Sequence, residues 1–293
     1  MSGTRASRLW AATSTSDALL IEGDAAEALK RLPADSVQCV VTSPPYWGLR
    51  DYGIPGQIGL EPALREYIER VTQVFSEVRR VLDPEGVVWL NIGDGYTSGN
   101  RSRRAPDKKN PARAMDVRPE NPEGLKNKDL IGIPWRVAFA LQEQGWYLRC
   151  DIIWHKPNAM PESVKDRPTR CHEYIFLLSS SERYFYDYEA AKVQNGTGSR
   201  NRRTIWSVNT QGFPKAHFAT FPPELVEPCI LAGSRERDVV LDPFMGSGTT
   251  GLVALYHGRR FVGIDLHPDY VRMAAERLEL PSDEIRRLGD PGD

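Results

Sequence analysis

Short apolar runs alternate with amphipathic segments along most of the chain. Apolar positions recur at steps of three and four residues over 62–82, which predicts a long helix. Shorter helices are predicted over 25–32, 134–144, 223–232, 249–257 and 268–280. Strands are predicted over 18–24, 37–45, 86–94, 148–157, 237–244 and 260–268. Near-continuous apolar strands that alternate with helices predict an α/β fold with a mostly parallel sheet covered on both faces.

Three segments depart from this alternation. The apolar runs 172–180 and 183–188 are separated by a short turn, which predicts an antiparallel hairpin. Residues 96–129 and 192–214 are rich in Gly, Pro, Asn and Arg, and loops longer than about 15 residues in such folds are usually functional or disordered. We therefore expect one domain over residues 17–293 with two insertions, preceded by a flexible N-terminus at residues 1–16.

Composition places the chain among water-soluble globular proteins. Of its 293 residues, 40% are hydrophobic and 26% are charged, and no apolar run is long enough to span a membrane. The four cysteines are scattered, so neither a zinc site nor a disulfide framework is predicted, and no other metal site is expected. The N-terminus lacks the apolar core of a signal peptide, which favours a cytoplasmic protein.

Charge is distributed unevenly along the chain. The formal net charge of −1 argues neither for nor against nucleic acid as a partner. Residues 97–128, however, contain nine basic and four acidic residues, and a second basic cluster lies at 199–203. Two solvated loops would show the same pattern, so charge alone leaves DNA binding open.

A glycine-rich turn lies near the end of the chain. Residues 246–251 match G-x-G-x-x-G between a predicted strand and a predicted helix, and Asp265 ends the next strand. In a nucleotide-binding βαβ unit, such glycines let the backbone approach the ligand and the acid accepts from ribose hydroxyls. A turn that only packs a helix tightly would look the same. Because no Lys follows the glycines, a phosphate-binding loop of the NTPase type is excluded.

The position of this turn argues against an ordinary dinucleotide-binding oxidoreductase. Such a unit usually opens its domain, whereas only 28 residues follow Asp265 here. The order of the sheet's elements along the chain therefore looks permuted. Because ligands bind outside the carboxyl ends of strands in an open α/β sheet, we expect Asp24, residues 43–46 and residues 242–248 on one rim.

Several motifs along the chain resemble those of one family. TSPPYWG (42–48), DPFMGSGTT (242–250) and FVGID (261–265) resemble the S-adenosylmethionine-dependent amino-methyltransferases of DNA in their β-class order, and residues 152–178 and 217–230 do so as well. The resemblance implies a Rossmann-like, mostly parallel methyltransferase sheet with a C-terminal hairpin-type antiparallel strand. It also implies S-adenosylmethionine as cofactor and double-stranded DNA as substrate, and it allows a homodimer and a cognate restriction endonuclease.

The chemistry of amine methylation explains the residue types in SPPY. The Ser43 hydroxyl and the Pro44 carbonyl can accept the two N–H bonds of an exocyclic amine, which localises the nitrogen lone pair and aims it at the sulfonium methyl. Pro44 and Pro45 fix the turn, and Tyr46 can stack on the base for roughly 1–3 kcal/mol. A paired base hides this nitrogen, so the base must be flipped out of the duplex.

The resemblance also implies a cofactor site. Asp24 would contact the adenine amine and Asp265 the ribose, although Asp24 could instead simply cap the helix that follows it. The remaining residues implied near the methionine end are Asp242, Phe244, Gly246, Ser247, Gly248, Thr249, His217 and Phe218.

These motifs leave open which base is methylated and which DNA sequence is recognised. Relatives that modify cytosine N4 typically carry Ser at the first motif position, so Ser43 favours cytosine, with adenine N6 as the alternative. Methylation of RNA or of protein glutamine, a nicotinamide-dependent oxidoreductase and a DNA-binding protein without catalysis are weaker alternatives. We expect base readout from residues 192–214 and phosphate contacts from residues 96–129. The basic residues proposed to bind DNA are Arg101, Arg103, Arg104, Arg200, Arg202 and Arg203.

Overall fold

A nine-stranded sheet forms the centre of the protein. The computed structural model describes residues 17–97, 119–196, 198–211, 221–281 and 284–288. The strands of the sheet are β1 (Ala18–Glu22), β2 (Val37–Thr42), β3 (Leu82–Ile92), β4 (Tyr147–His155), β5 (His172–Ser179), β8 (Ile205–Ser207), β9 (Val239–Asp242), β10 (Arg260–Asp265) and β11 (Ile285–Arg287). A separate antiparallel pair consists of β6 (Val193–Asn195) and β7 (Gly198–Arg200).

In the part of the chain that the structure describes, six helices accompany the strands and cover both faces of the sheet. They are α1 (Ala25–Lys30), α2 (Leu64–Val81), α3 (Ile133–Glu143), α4 (Pro223–Gly233), α5 (Thr249–Tyr256) and α6 (Pro268–Arg277). Apolar side chains of α1, α2 and α3 form one buried core against the sheet, and those of α4, α5 and α6 form the second. The six helices and the six strands predicted between them are confirmed, and β1, β2, β9 and β10 are buried along nearly their whole length, as their near-continuous apolar runs require.

The strand order is β11-β1-β10-β9-β2-β3-β5-β4-β8. Within this sheet β5 pairs antiparallel with both β3 and β4, and the other pairings are parallel. The sheet is therefore mostly parallel, as predicted. The N-terminal strand β1 lies beside β10, which confirms a permuted order in which both ends of the chain build one half of the sheet.

The predicted hairpin is wrong. Both edges of β5 are already paired, by β3 and β4, so no edge remains for residues 183–188 to form a ladder with it. Instead, Phe185 N donates to Glu85 O at 2.7 Å and Asp187 N donates to Ala232 O at 2.8 Å, which are isolated bonds to a strand and a helix end. The antiparallel strand therefore lies mid-chain, and the last strand, β11, runs parallel to β1.

The parallel strands end along one edge of the sheet. Glu22, Thr42, Asp242 and Asp265 are the last residues of β1, β2, β9 and β10, so the segments that follow them meet there. Among the described residues, no helix combines the length and the apolar composition needed to cross a membrane.

The packing of α4 on the sheet predicts the effect of one small substitution. A Cβ at Gly233 would lie 2.7 Å from Val87 Cγ2 and 2.9 Å from Cys39 Sγ, both in the buried core. We expect Gly233→Ala to lower the free energy of unfolding by about 1–3 kcal/mol, measured by urea denaturation. Gly198→Ala is the matched control, because a Cβ there meets no atom within 4 Å. Equal stabilities of the two variants would contradict this packing.

Candidate active site

A cavity of about 580 Å³ opens where the parallel strands end. Segments that follow β1, β2, β9 and β10 line it, and the amino-terminal end of β5 closes its far side. The predicted residues that line this cavity are Asp24, Ser43, Pro44, Pro45, Tyr46, Phe244, Gly246, Ser247, Thr249 and Asp265. Residues from both ends of the chain, predicted to bind two different ligands, therefore face one space.

Asp265 stands at the tip of β10. Its carboxylate accepts from His267 N at 2.8 Å and from Gly246 N at 2.9 Å, so it fixes the start of the glycine turn. Burial raises its pKa to about 6. Each carboxylate oxygen retains a lone pair that can accept from a sugar hydroxyl.

Asp24 caps α1 and faces the cavity at the same time. Its Oδ1 accepts from Ala26 N at 2.9 Å and from Glu27 N at 3.1 Å, so the capping interpretation is correct. The side chain also lines the cavity. Because one oxygen is sufficient for the cap, the other can accept from a ligand amine.

Two glycines of the glycine turn have different surroundings, one beside the cavity and one against helix α6. Gly246 has φ +51° and a Cβ there would meet no atom within 4 Å, so its backbone borders open space. Gly248 has φ +77° and lies behind the cavity, where a Cβ would come 3.0 Å from Ala274 Cβ on α6. Glycine thus leaves open space at Gly246 and permits close helix packing at Gly248.

Arg277 on α6 holds the same turn from behind. Its Nη1 donates to Ser247 Oγ at 3.0 Å and to Thr249 Oγ1 at 2.9 Å. These hydroxyls therefore accept from the protein's own guanidinium, which keeps the turn in place.

Asp242 lies beneath the cavity wall and is only 1% exposed. Its Oδ1 accepts from Thr42 Oγ1 at 2.7 Å and from Phe244 N at 3.1 Å, and its Oδ2 accepts from Thr250 Oγ1 at 2.8 Å. Burial raises its pKa to about 6 against the effect of these donors. Asp242 thus connects β2, the glycine turn and α5 and does not line the cavity.

The SPPY segment leaves β2 at the cavity wall. Tyr67 on α2 donates its hydroxyl to Pro45 O at 2.9 Å, which fixes the turn from the side of the core. The Tyr46 ring lies against Gly93, where a Cβ would come within 2.7 Å of Tyr46 Cε2. Its hydroxyl donates to Glu173 Oε2 at 2.8 Å, and burial raises the pKa of Tyr46 well above its ordinary value.

Several polar cavity residues were not assigned a role from the sequence, and three of them lie together beside Tyr46. Asn91 at the end of β3, Lys156 just after β4 and Glu173 in β5 all line the cavity. Lys156 and Glu173 fall inside the family-like segment 152–178, but no local spacing indicates that they meet Tyr46, because strand pairing brings them there. Among the described residues, no group of three or more His, Cys, Asp or Glu side chains is arranged to hold a metal ion.

Other predicted residues lie apart from the cavity or outside the described structure. The guanidinium of Arg202 packs over the Trp206 ring at 5.1 Å, and burial lowers its pKa. Arg203 is exposed and Arg200 is half-buried. The predicted residues outside the described ranges are Arg101, Arg103, Arg104, His217 and Phe218.

The permuted sheet, the glycine turn and SPPY around one cavity define the class of α/β methyltransferases. A family model for DNA methylase (N6_N4_Mtase) matches residues 37–276. The chain is 62% identical over 272 residues to the Type II methyltransferase M.Cfr9I of Citrobacter freundii, covering 92% of this chain and 91% of that protein. It is 56% identical over 262 residues to M.SmaI of Serratia marcescens, covering 88% and 90%.

Solved structures share the fold. The putative DNA modification methylase TTHA0409 of Thermus thermophilus, solved in complex with S-adenosyl-L-methionine, superimposes with a TM-score of 0.64 at 27% identity, covering 92% of this chain and 97% of that one. The cytosine-N4-specific PvuII DNA methyltransferase superimposes with a TM-score of 0.69 at 23% identity, covering 93% and 90%. At that identity the second likeness concerns the fold alone.

The chain therefore belongs to the N6_N4 DNA methylase family and is a Type II DNA methyltransferase. The family resemblance stated from the motifs is confirmed, and with it S-adenosylmethionine as the cofactor of the family. A nicotinamide-dependent oxidoreductase, the alternative from another class, is not supported by this membership.

The buried carboxylate of Asp242 predicts a pH dependence of stability. In the unfolded chain Asp242 ionises near its ordinary pKa of 3.8, but in the folded protein only near 6. The unfolded state thus loses the proton first, and stability falls as pH rises through this window. Relative to Asp242→Asn, we expect the free energy of unfolding of the wild type to fall by about 3 kcal/mol between pH 3.5 and pH 7.

Urea denaturation across that pH range measures the difference. Asp151→Asn, at an exposed position of β4, is the matched control and should leave the pH dependence unchanged. A wild-type curve parallel to that of Asp242→Asn would contradict the prediction.

Proposed function

We propose that this enzyme transfers the methyl group of S-adenosylmethionine to the exocyclic N4 of a cytosine flipped out of duplex DNA. The observation that carries the proposal is the single cavity in which SPPY faces the glycine turn. A donor on one wall and an acceptor base on the other would meet in that space. Holding both reactants in line supplies much of the acceleration when no covalent intermediate is needed.

The cofactor side fits a nucleoside with an amino-acid tail. Asp265, already oriented by two backbone N–H groups, would accept from the ribose hydroxyls, and the second oxygen of Asp24 would accept from the adenine amine. The exposed backbone at Gly246 would let the methionine end approach closely. When bound, the cofactor supplies an electrophilic methyl group on a sulfonium.

The substrate side fits a planar base that carries an amine. Ser43 Oγ and the Pro44 carbonyl would accept the two N–H bonds of the amine, while the Tyr46 ring would stack on the base. The ring is fixed for this by Gly93 behind it and by Glu173 at its hydroxyl. Preorganised acceptors make the nitrogen lone pair available without a general base at the first step.

Cytosine is proposed because of Ser43. By the family resemblance, a serine at this position favours N4 of cytosine, whereas an aspartate favours N6 of adenine. The adenine reaction remains the alternative, since both amines present the same two N–H bonds. A cognate endonuclease is part of the proposal, in keeping with the Type II methyltransferases to which the chain is similar. A homodimer and a cytoplasmic location complete it.

Product analysis tests the base directly. Purified protein with labelled S-adenosylmethionine and duplex DNA should yield labelled N4-methylcytosine after digestion to nucleosides. Ser43→Ala should lower the rate roughly 100-fold or more, because a preorganised hydrogen-bond group is lost, while binding of S-adenosylhomocysteine is retained. Label found only in N6-methyladenine would refute the cytosine assignment.

Sequence readout is proposed for the basic residues around β7 and β8. Arg203 is exposed, whereas Arg202 is held against Trp206, so Arg203 is the better candidate for contact with a base edge. We expect Arg203→Ala to relax discrimination at one position of the target by about 1–3 kcal/mol. Sequencing of methylated DNA from a host that expresses each protein measures this, with exposed Arg65→Ala on α2 as control. Identical target sequences for Arg203→Ala and the wild type would contradict it.

A further inference from the structure

A chain of hydrogen bonds leads from Ser43 into the wall of the cavity. Ser43 Oγ lies 3.3 Å from Tyr46 Oη, and Tyr46 Oη lies 2.8 Å from Glu173 Oε2. Lys156 Nζ donates to the other oxygen, Glu173 Oε1. The group proposed to hold the reacting amine is thus linked, through one phenol, to a carboxylate with its own cation.

The orientation of the Asn91 side chain indicates which group donates and which accepts along this chain of hydrogen bonds. Its Nδ2 donates to Glu173 Oε2 at 3.2 Å and to Tyr174 O at 3.1 Å, so its Oδ1 is the atom turned toward Tyr46, at 3.3 Å. The phenol has one proton, and the nearer, charged carboxylate is the stronger acceptor. Tyr46 therefore donates to Glu173, and its oxygen accepts from Ser43.

This direction makes Ser43 an acceptor on the cavity side. A serine hydroxyl carries one proton and two lone pairs. If the proton is directed to Tyr46, the lone pairs are left for the amine of the base. Without Glu173, the Tyr46 proton could turn toward Ser43, which would then direct its own proton into the cavity against the amine.

Glu173 is paired with a lysine in the wall of the cavity. The Glu173 and Lys156 side chains are 18% and 17% exposed, and the Lys156 ammonium also lies 4.1 Å from the centre of the Trp154 ring. Burying either charge alone would be costly, whereas the pair compensates both. The other titratable groups around Glu173 are the Asp94–Arg170 pair, His155 and His172, whose pKa is lowered by burial.

Other carboxylates near the cavity are already engaged. Asp94 Oδ1 accepts from the backbone N–H groups of Gly95, Gly132 and Ile133, and Oδ2 lies 3.6 Å from Arg170. Glu162 pairs with Arg167. Among the described residues, Glu173 is thus the carboxylate that is hydrogen-bonded to the SPPY segment.

We propose that Glu173 is a positioning residue that orients the Ser43–Tyr46 chain and receives the proton released by methylation. The proposal rests on the role of Ser43 in the proposed function and holds for either amine. Lys156 holds the Glu173 carboxylate in place beside Tyr46.

The proton and electron balance is complete without a further reagent. The nitrogen lone pair forms the bond to the methyl carbon, and the carbon–sulfur bond breaks with its electron pair on sulfur. The N–H proton passes to Ser43 Oγ, the Ser43 proton passes to Tyr46 Oη, and the Tyr46 proton passes to Glu173 Oε2. The positive sulfonium and the negative carboxylate are consumed together, which leaves a thioether, a neutral methylamine and a carboxylic acid.

Single-turnover methylation of duplex DNA by Glu173→Gln, Tyr46→Phe and the double variant tests the proposal. Each single variant should lower the rate about 100-fold, as expected for loss of a proton acceptor. The double variant should be no slower than the slower single variant, because both break the same chain. Affinity for S-adenosylhomocysteine should stay within about threefold. Glu69→Gln, on the exposed face of α2, is the matched control with wild-type activity.

The pH profile separates proton transfer from a structural role. At saturating S-adenosylmethionine, so that protonation of Asp265 does not limit cofactor binding, the wild-type rate should fall on the acid side, because Glu173 must be unprotonated to accept. This fall should be absent in Glu173→Gln and Tyr46→Phe. Wild-type rates in both variants, or an unchanged acid limb in either, would overturn the proposal. If Glu173→Gln fails to fold, Tyr46→Phe decides alone, since its ring still fills the space beside Gly93.

The same assay distinguishes failure of the proposed base from failure of this inference. The methylated nucleoside formed by the wild type reports the base. The ratio of variant to wild-type rate on that base reports the role of Glu173.

Discussion

One buried carboxylate holds the two halves of the site together. Asp242 accepts hydrogen bonds from Thr42, which precedes Ser43, and from Phe244 and Thr250, which flank the glycine turn. SPPY and the glycine turn, which are proposed to hold the substrate and the cofactor, are separated by about 200 residues in sequence. These short hydrogen bonds nevertheless fix their relative position, and Asp242, which accepts them, is only 1% exposed. Methyl transfer requires the methyl group of the donor and the acceptor nitrogen to be aligned within a fraction of an ångström. The rigidity that Asp242 gives to the two segments therefore matters more for the reaction than its contribution to stability.

This arrangement divides the site into residues that face the cavity and residues that support them. Asp242, Gly248 and Arg277 lie behind the wall and set the shape of the turn, whereas Gly246 and Asp265 border the space itself. SPPY is also supported from behind. Tyr67 fixes the proline turn, and Glu173 with Lys156 fixes the Tyr46 phenol. A cavity whose SPPY segment and glycine turn are both held from behind suits a reaction that depends on orientation.

Much of this could be predicted from the sequence because the signals are local. Apolar periodicity located the helices and the parallel strands, and the motif order indicated the permutation. The hairpin failed because a run such as 183–188 carries no information about whether the edge of β5 is already taken. The Tyr46–Glu173–Lys156 contacts were missed for a related reason: they depend on the register of β4 against β5 and on the proximity of both to SPPY. Arg202 was assigned to DNA from its charge, yet its guanidinium is held against Trp206, a contact that composition does not encode.

In the proposed reaction, one cavity holds the methyl donor and the flipped base face to face. A crystal structure with S-adenosylhomocysteine and a duplex that contains the methylated site tests it most directly. We expect the sulfur beside Gly246, the target base outside the helix against Tyr46, and its exocyclic nitrogen within about 3.2 Å of Ser43 Oγ. A base that remains stacked in the duplex, or an exocyclic nitrogen that is bound away from Ser43 and Pro44, would contradict the account.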